Sequence, residues 1–101
     1  MLKAKAEIMF TLEGKNYSGN LKLQPVFNFG KDLLFSGTIV SDHDEYRCKE
    51  KYAVDIEFFT IYGEAYEAVK PLLKPDMGLV MQAGRRVLGV SKLLDYVYEE
   101  K

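Results

Sequence analysis

The sequence predicts an all-β fold of about six strands with one short helix near residues 64–73, arranged as a small antiparallel β-barrel or as a β-sandwich. Apolar and polar residues alternate through several segments, as they do in strands that bury one face. Clusters of turn-forming residues separate these segments, and the three-and-four spacing of a helix occurs once. The length of 101 residues suits one domain that spans residues 1–101.

The first predicted strand covers residues 4–12, where every second residue is apolar. Glycine, asparagine and serine are frequent in residues 13–20, so we expect a turn there. The extended conformation then resumes at Leu21 and continues past Pro25 to Phe29. Because proline lacks a donor N–H, Pro25 suits a sheet edge or a bulge better than a central strand.

Two further strands are predicted in the middle of the chain. Gly30-Lys31-Asp32 forms a short turn, and residues 33–40 are rich in the β-branched and aromatic residues that favour strands. Alternation returns from residue 46 to residue 58. We expect this long strand to bend near Glu50, whose charge would otherwise point towards the apolar face.

The helix is predicted between Gly63 and Leu73, where the apolar residues follow a helical stripe. Pro71 should end or distort it, because the proline ring clashes with the preceding turn. We expect the helix to cover an open end of the barrel and to bury Val69, Leu72 and Leu73.

The last hairpin is predicted to have residues 79–82 and 87–98 as its arms, with a bulge at Gly89. Its turn, Ala83-Gly84-Arg85-Arg86, interrupts the apolar alternation with a glycine and two cations. Guanidinium groups offer forked donors that match phosphate oxygens, so this turn is a candidate contact for a nucleic-acid backbone. A solvated turn without a partner is the alternative.

Several segments resemble, in their order and spacing, a known family: residues 6–8, 18–19, 25–29, 35–39 and 77–90. Over most of its length the chain resembles the third, C-terminal domain of elongation factor Tu, a β-barrel of the translation-factor type. Two features depart from the family pattern. The Pro-Gly pair expected before residues 54–56 is absent, and residues 63–75 are longer than the matching loop.

The resemblance implies a non-catalytic binding module. In the family, the turn of the closing hairpin lies near the T-stem backbone of bound tRNA. By position, this role falls on Gln82, Ala83, Gly84 and Arg85, with Arg86 as an addition. The expected partner is therefore tRNA, another structured RNA or a translation-related protein. The alternative is a protein-interaction module, an inhibitor or a mimic, that acts on a protein partner without RNA.

An enzymatic function is not expected. The phosphate-binding loop of the family's GTPase requires spaced glycines followed by Lys-Ser/Thr, and neither Gly14-Lys15-Asn16 nor Gly30-Lys31-Asp32 meets this pattern. A nucleophile elbow and an isolated pair of carboxylates are absent from the sequence as well. We therefore predict no catalytic residue, no cofactor and no small-molecule substrate.

A secondary basic face is predicted from Arg47, Lys49 and Lys51, which would project from one face of the same strand towards RNA or an acidic partner. Asp55 and Glu57 continue that face with the opposite sign. Ordinary charge pairing between strands is therefore the alternative, and the simpler interpretation.

Two other candidates have simpler explanations. Asp42-His43-Asp44-Glu45 contains metal-binding residue types, but consecutive side chains on an extended turn diverge, so we expect a solvated loop and no metal site. Cys48 is the only cysteine, which excludes an internal disulfide. Alternation assigns it to the apolar face with Tyr52 and Val54, where a thiol is inert.

Charge and hydropathy narrow the classes of protein further. The 14 basic and 15 acidic residues give a net charge of -1, which excludes a surface built as a whole to collect polyanions. No uncharged apolar run approaches the roughly 18 residues of a membrane span. The first residues also lack the pattern of a secretory signal. We expect a cytoplasmic protein that makes no contact with membranes.

Overall fold

A computed structural model describes residues 1–11, 17–18 and 24–99 of the chain. The predicted turn at residues 13–20 lies mostly outside these described residues, and so does the predicted return to extended structure at Leu21. In chain order, the strands and the helix are β1 Leu2–Phe10, β2 Tyr17–Ser18, β3 Val26–Asn28, β4 Leu34–Ser36, β5 Thr38–Val40, β6 Glu45–Tyr46, β7 Lys51–Phe58, α1 Glu64–Val69, β8 Gly78–Ala83 and β9 Arg86–Tyr98.

The strands confirm the all-β barrel with one short helix. Seven of them form one antiparallel sheet in the order β4-β3-β8-β9-β1-β7-β5, while β2 and β6 form a separate two-stranded sheet. The main sheet therefore has one strand more than the six predicted. The extra strand arises because the segment predicted as one strand, residues 33–40, divides at Gly37 into β4 and β5.

Gly37 is where the sheet closes into a barrel. β4 and β5 stand at opposite ends of the strand order, yet only this residue separates them in the chain. One extended segment thus pairs with β3 through its first half and with β7 through its second half. A Cβ atom at Gly37 would lie 2.7 Å from Cγ2 of Ile56 and 2.8 Å from Cε1 of Phe58. Glycine therefore lets the bend pack directly on the core.

The barrel interior is built around β1, which pairs with both β7 and β9. Its inward side chains alternate as the sequence predicts, and all of them are buried: Leu2, Ala4, Ala6, Ile8 and Phe10. Aromatic rings fill the space beneath the Gly37 bend, where Phe58 packs edge-on against Phe27 and Phe29, with ring centroids 5.3 Å apart in both pairs. Edge-on aromatic packing of this kind adds to the stabilisation from area burial.

The long strand predicted from residue 46 to residue 58 is interrupted, which confirms the bend near Glu50. β6 ends at residue 46 and β7 begins at residue 51. Lys49 has a φ of 66° in this turn, and its N–H donates to the carbonyl of Phe10 at 2.7 Å. Since the turn breaks the alternation, Cys48 is half-buried and lies outside the core. Its predicted place on the apolar face with Tyr52 and Val54 is wrong.

The helix forms where the sequence predicts, and its α-helical part ends before Pro71. α1 ends at Val69, and a 3-10 turn covers Lys70–Leu72 with Pro71 inside it. Val69 and Leu73 join the core as predicted, whereas Leu72 is only partly buried.

An aromatic contact holds the helix beside the end of β9. The ring of Tyr66 stacks on that of Tyr98, with centroids 3.7 Å apart. The N–H of Gly63 also donates to the hydroxyl of Tyr98 at 3.1 Å. The helix is therefore held at its first turn as well as through the buried side chains of Val69 and Leu73.

β9 is the longest strand, and two bulges shape it. The register with β8 shifts at Leu88, next to the predicted position Gly89, and the register with β1 shifts at Leu94. Gly89 lies tightly against β1: an added Cβ would collide with the carbonyl oxygen of Met9 and lie 2.8 Å from Cα of Phe10. These are backbone atoms, so the two strands would have to separate.

Replacing Gly89 by alanine should therefore weaken the barrel. We expect the Gly89→Ala variant to lose about 1–3 kcal/mol of unfolding free energy, the usual cost of overpacking. Urea denaturation followed by circular dichroism measures this loss. Gly78→Ala is the matched control, because the nearest atom to its Cβ would lie 4.0 Å away. Equal stability of the two variants would contradict the close β1–β9 contact.

Candidate functional site

The candidate site lies at the turn of the closing hairpin, whose two paired arms are β8 and β9. Ala83 pairs with Arg86, so Gly84 and Arg85 alone form the turn. Gly84 has a φ of 61°, and two-residue hairpin loops with positive φ at the first position favour glycine there. The tip, defined as Gln82–Arg86, is therefore a tight turn on a continuous β-ladder.

The two arginines of the tip are exposed to solvent. Within the described part of the chain, the guanidinium groups of Arg85 and Arg86 have no hydrogen-bond or ion-pair partner. Four other cations have carboxylate partners: Lys3 with Glu99, Arg47 with Glu45, Lys51 with Glu7 and Lys92 with Asp76. The tip thus presents two guanidinium groups whose donors are available to an anion.

A relay of side-chain amides connects the tip to the neighbouring hairpin. Nδ2 of Asn28 donates to Oε1 of Gln82 at 3.2 Å, and Nε2 of Gln82 donates to the carbonyl of Gly84 at 3.2 Å. Oδ1 of Asn28 in turn accepts from the N–H of Gly30 at 2.8 Å. Gln82 is therefore held in one orientation between β3 and the turn, which restrains the tip.

A small cavity of about 170 Å³ opens beside the tip. The apolar part of its lining includes Phe10, Pro25 and Leu88, of which Phe10 and Pro25 are buried. Leu88 is the extra residue of the β9 bulge and is half-buried. The bulge thus places an apolar side chain at the wall of the cavity.

The polar part of the cavity lining consists of two amide side chains, Gln24 and Gln82. Nε2 of Gln24 donates to Oγ1 of Thr38 at 3.3 Å. Ala83 completes the lining on the side of the arginines. Apolar residues and two amides therefore line a cavity that lies beside the strand ends carrying the two arginines.

A larger depression of about 330 Å³ crosses the outer face of the sheet. Its charged lining includes Lys3, Lys5, Asp55 and Glu57, and Lys5 lies directly opposite Asp55 between β1 and β7, as does Lys3 opposite Glu57. Charges of both signs compensate each other there. We therefore regard the smaller cavity beside the uncompensated arginines as the better candidate site.

The secondary basic face does not form as predicted. Of its three residues only Lys51 lies on a strand, because Arg47 and Lys49 belong to the turn between β6 and β7. Nε of Arg47 lies 3.4 Å from a carboxylate oxygen of Glu45, and Nζ of Lys51 lies 3.8 Å from one of Glu7. The turn redirects the chain, so strand alternation no longer aligns these side chains.

The acidic loop before β6 is exposed at Asp42, Asp44 and Glu45. Among the residues that the structure describes, no three histidine, cysteine, aspartate or glutamate side chains converge as a metal site. The ring of His43 instead packs edge-on against Tyr52, with centroids 4.8 Å apart. His43 therefore belongs to an aromatic cluster.

Tyr52 is the centre of this aromatic cluster. Its hydroxyl donates to a carboxylate oxygen of Glu50 at 2.8 Å and accepts from the N–H of Arg47 at 2.7 Å. Partial burial raises the pKa of Tyr52, while the N–H of Arg47 lowers it and the carboxylate of Glu50 raises it further. These bonds hold the turn between β6 and β7.

Sequence reasoning predicted the tip residues but missed Gln24, Asn28 and Leu88. Asn28 and Gln82 are 54 positions apart in the chain, and they meet only because β3 pairs with β8. Alternation does predict that Asn28 faces away from Phe27 and Phe29. Alternation provides no information about which strand lies beside Asn28.

Comparison of the chain with protein-family models and with curated proteins finds no match.

Within the described residues, no helix combines the length and the apolar character that a transmembrane helix requires.

The bond between Asn28 and Gln82 should contribute to stability as a coupled pair. We expect Asn28→Ala and Gln82→Ala each to destabilise the barrel, and the double variant to cost less than the sum of the two. The coupling should be about 0.5–1.5 kcal/mol, the net value of one hydrogen bond. Urea denaturation of the four proteins measures it. Strictly additive losses would show that the two amides act independently.

Proposed function

We propose that this chain is a non-catalytic binding module that contacts structured RNA through the tip Gln82–Arg86. The observation that carries the proposal is the pair of exposed, unpaired guanidinium groups of Arg85 and Arg86 on a tight turn. Guanidinium groups bind phosphate oxygens through two parallel hydrogen bonds, which suits an RNA backbone.

The resemblance to the third domain of elongation factor Tu supports the same surface. In that family the matching turn lies near the T-stem backbone of tRNA, so a folded tRNA is the first RNA to test. The GTPase activity of the elongation factor is no part of the proposal, because the phosphate-binding loop pattern is absent from the sequence.

The restrained tip favours binding over a flexible turn with the same residues. Gln82 is held by Asn28 and holds the carbonyl of Gly84, so less conformational freedom is lost when the tip meets a partner. The net charge of -1 provides no general attraction for RNA. Affinity should therefore depend on the local pair of arginines and fall quickly as salt is added.

Neutralising the tip should reduce RNA binding and its salt dependence together. For the Arg85→Ala/Arg86→Ala variant we expect at least about tenfold weaker binding of tRNA at low salt. The slope of log K against log salt should become shallower by about 2, close to one for each lost phosphate contact. Fluorescence anisotropy with labelled tRNA at several salt concentrations measures both quantities.

The matched control removes the same charge elsewhere. Arg47→Ala/Lys51→Ala deletes two cations that already have carboxylate partners. Binding and slope should change little in this variant. Equal losses in the two double variants would indicate general charge attraction and would remove the tip from consideration.

A protein partner is the second candidate, supported by an exposed aromatic pair. Phe59 and Tyr62 are 55% and 62% exposed between β7 and α1. Ile61 between them is fully buried, and its N–H donates to the carbonyl of Phe58 at 3.2 Å, so the pair is anchored. Tyr66 is stacked on Tyr98, which makes this surface smaller than the sequence suggests.

The two candidates predict opposite behaviour in an affinity pull-down after nuclease treatment. If a protein binds the aromatic pair, it should be retained by wild type and by Arg85→Ala/Arg86→Ala, and lost with Phe59→Ala/Tyr62→Ala. Mass spectrometry of the eluates measures this. Retention by the aromatic variant would exclude the Phe59–Tyr62 surface.

A further inference from the structure

We infer that the cavity beside the tip accepts one unpaired nucleobase, so that the RNA recognised here has a bulged or single-stranded nucleotide next to the backbone that the arginines hold. The inference rests on the proposed function and deepens it, because it names a feature of the RNA. The position, size and chemistry of the cavity carry it.

The position of the cavity matches the spacing of a base and its phosphate. Ala83 lines the cavity and is the cross-strand partner of Arg86. Cross-strand partners in antiparallel sheets have Cα atoms about 4.5–5.5 Å apart. One nucleotide can therefore place its base in the cavity while an adjacent phosphate meets a guanidinium group.

The size of the cavity suits one planar group. Its volume of about 170 Å³ is far above the share of a single water in the liquid, about 30 Å³, and below the roughly 300–1,000 Å³ of pockets for drug-sized ligands. The half-buried side chain of Leu88 and the exposed methyl group of Ala83 offer apolar surface to the face of a base. Contacts of this type are sequence-tolerant, because every base has a π-face.

The amides supply the chemistry that the edge of a base requires. Nε2 of Gln82 uses one hydrogen on the carbonyl of Gly84, and its second hydrogen can still be donated. Nε2 of Gln24 donates to Thr38, so its Oε1 can accept. The lining therefore offers one free donor and one free acceptor, and the edges of bases carry both acceptors and donors.

An apolar side chain from a protein partner fits this cavity less well. It would fill the space against Leu88 but would leave the second amide hydrogen of Gln82 and the amide oxygen of Gln24 without partners, and unpaired polar groups in a closed contact are costly. RNA recognition, by contrast, mostly targets unpaired bases that can be splayed out of a helix. Together with the adjacent arginines, the lining favours a nucleotide.

Three synthetic RNA stem-loops that differ only at one position of the stem test the inference. One carries a single bulged nucleotide in its stem, the second carries an abasic residue at the same place, and the third is fully paired. We expect wild type to bind the bulged RNA about tenfold more tightly than the other two in fluorescence anisotropy, a factor within the range of one good base contact. Repeating the bulge with each of the four bases reveals the preference set by the amides.

Blocking the cavity should remove this preference alone. Ala83 is exposed, so Ala83→Leu fills the mouth of the cavity without entering the core. Ala53→Leu, at an exposed alanine of β7 outside the cavity lining, is its matched control. Ala83→Leu should bind all three RNAs as weakly as wild type binds the paired stem. Ala53→Leu should keep the tenfold preference, and Arg85→Ala/Arg86→Ala should weaken the binding of all three RNAs.

The outcomes separate this inference from the proposed function. Equal binding of the three RNAs by wild type would overturn the base-binding cavity and leave the arginine tip intact. Equal binding of the bulged and abasic RNAs, both above the paired stem, would also overturn it, because the backbone distortion alone would then explain the preference. Absence of binding to any of them would overturn both proposals.

Discussion

The structure depends on the bend at Gly37, where one extended segment changes its partner strand. Without it, β4 and β5 would continue as one strand along a single neighbour, and the sheet would keep two free edges. The bend is possible because nothing larger than hydrogen fits between the backbone and the side chains of Ile56 and Phe58. Closure removes exposed ladder groups that would otherwise pair with other chains. It also fixes the barrel that carries the closing hairpin.

The closing hairpin is part of this closed barrel, because its strand β9 pairs with β1. β9 packs tightly on β1 at Gly89, and the bulge at Leu88 lies directly beside that contact. The bulge turns an apolar side chain towards the cavity, while the strand continues to the arginines. The same local irregularity therefore belongs both to the packing of the barrel and to the shape of the candidate site. Bulges often combine these roles, because they redirect a side chain without ending a strand.

Charge distribution distinguishes the tip from the rest of the sheet. Along β1 and β7, Lys3 and Lys5 lie opposite Glu57 and Asp55, so the outer face is close to neutral. At the tip no carboxylate of the described residues pairs with the arginines. A protein with a net charge of -1 can therefore keep a small positive apex without attracting polyanions elsewhere.

The sequence by itself determined the local features of this protein. Period-two alternation identified β1 and the hairpin arms, the change of period identified α1, and the pair of arginines beside Gly84 marked the tip, because each of these signals lies within a few neighbouring residues. Tertiary structure alone decided the change of partner at Gly37, the redirection of Lys49 and the bond from Asn28 to Gln82. These features depend on which strands lie side by side. A side chain's alternation indicates the face on which it lies, whereas its neighbour on that face is set by pairing between segments far apart in the chain.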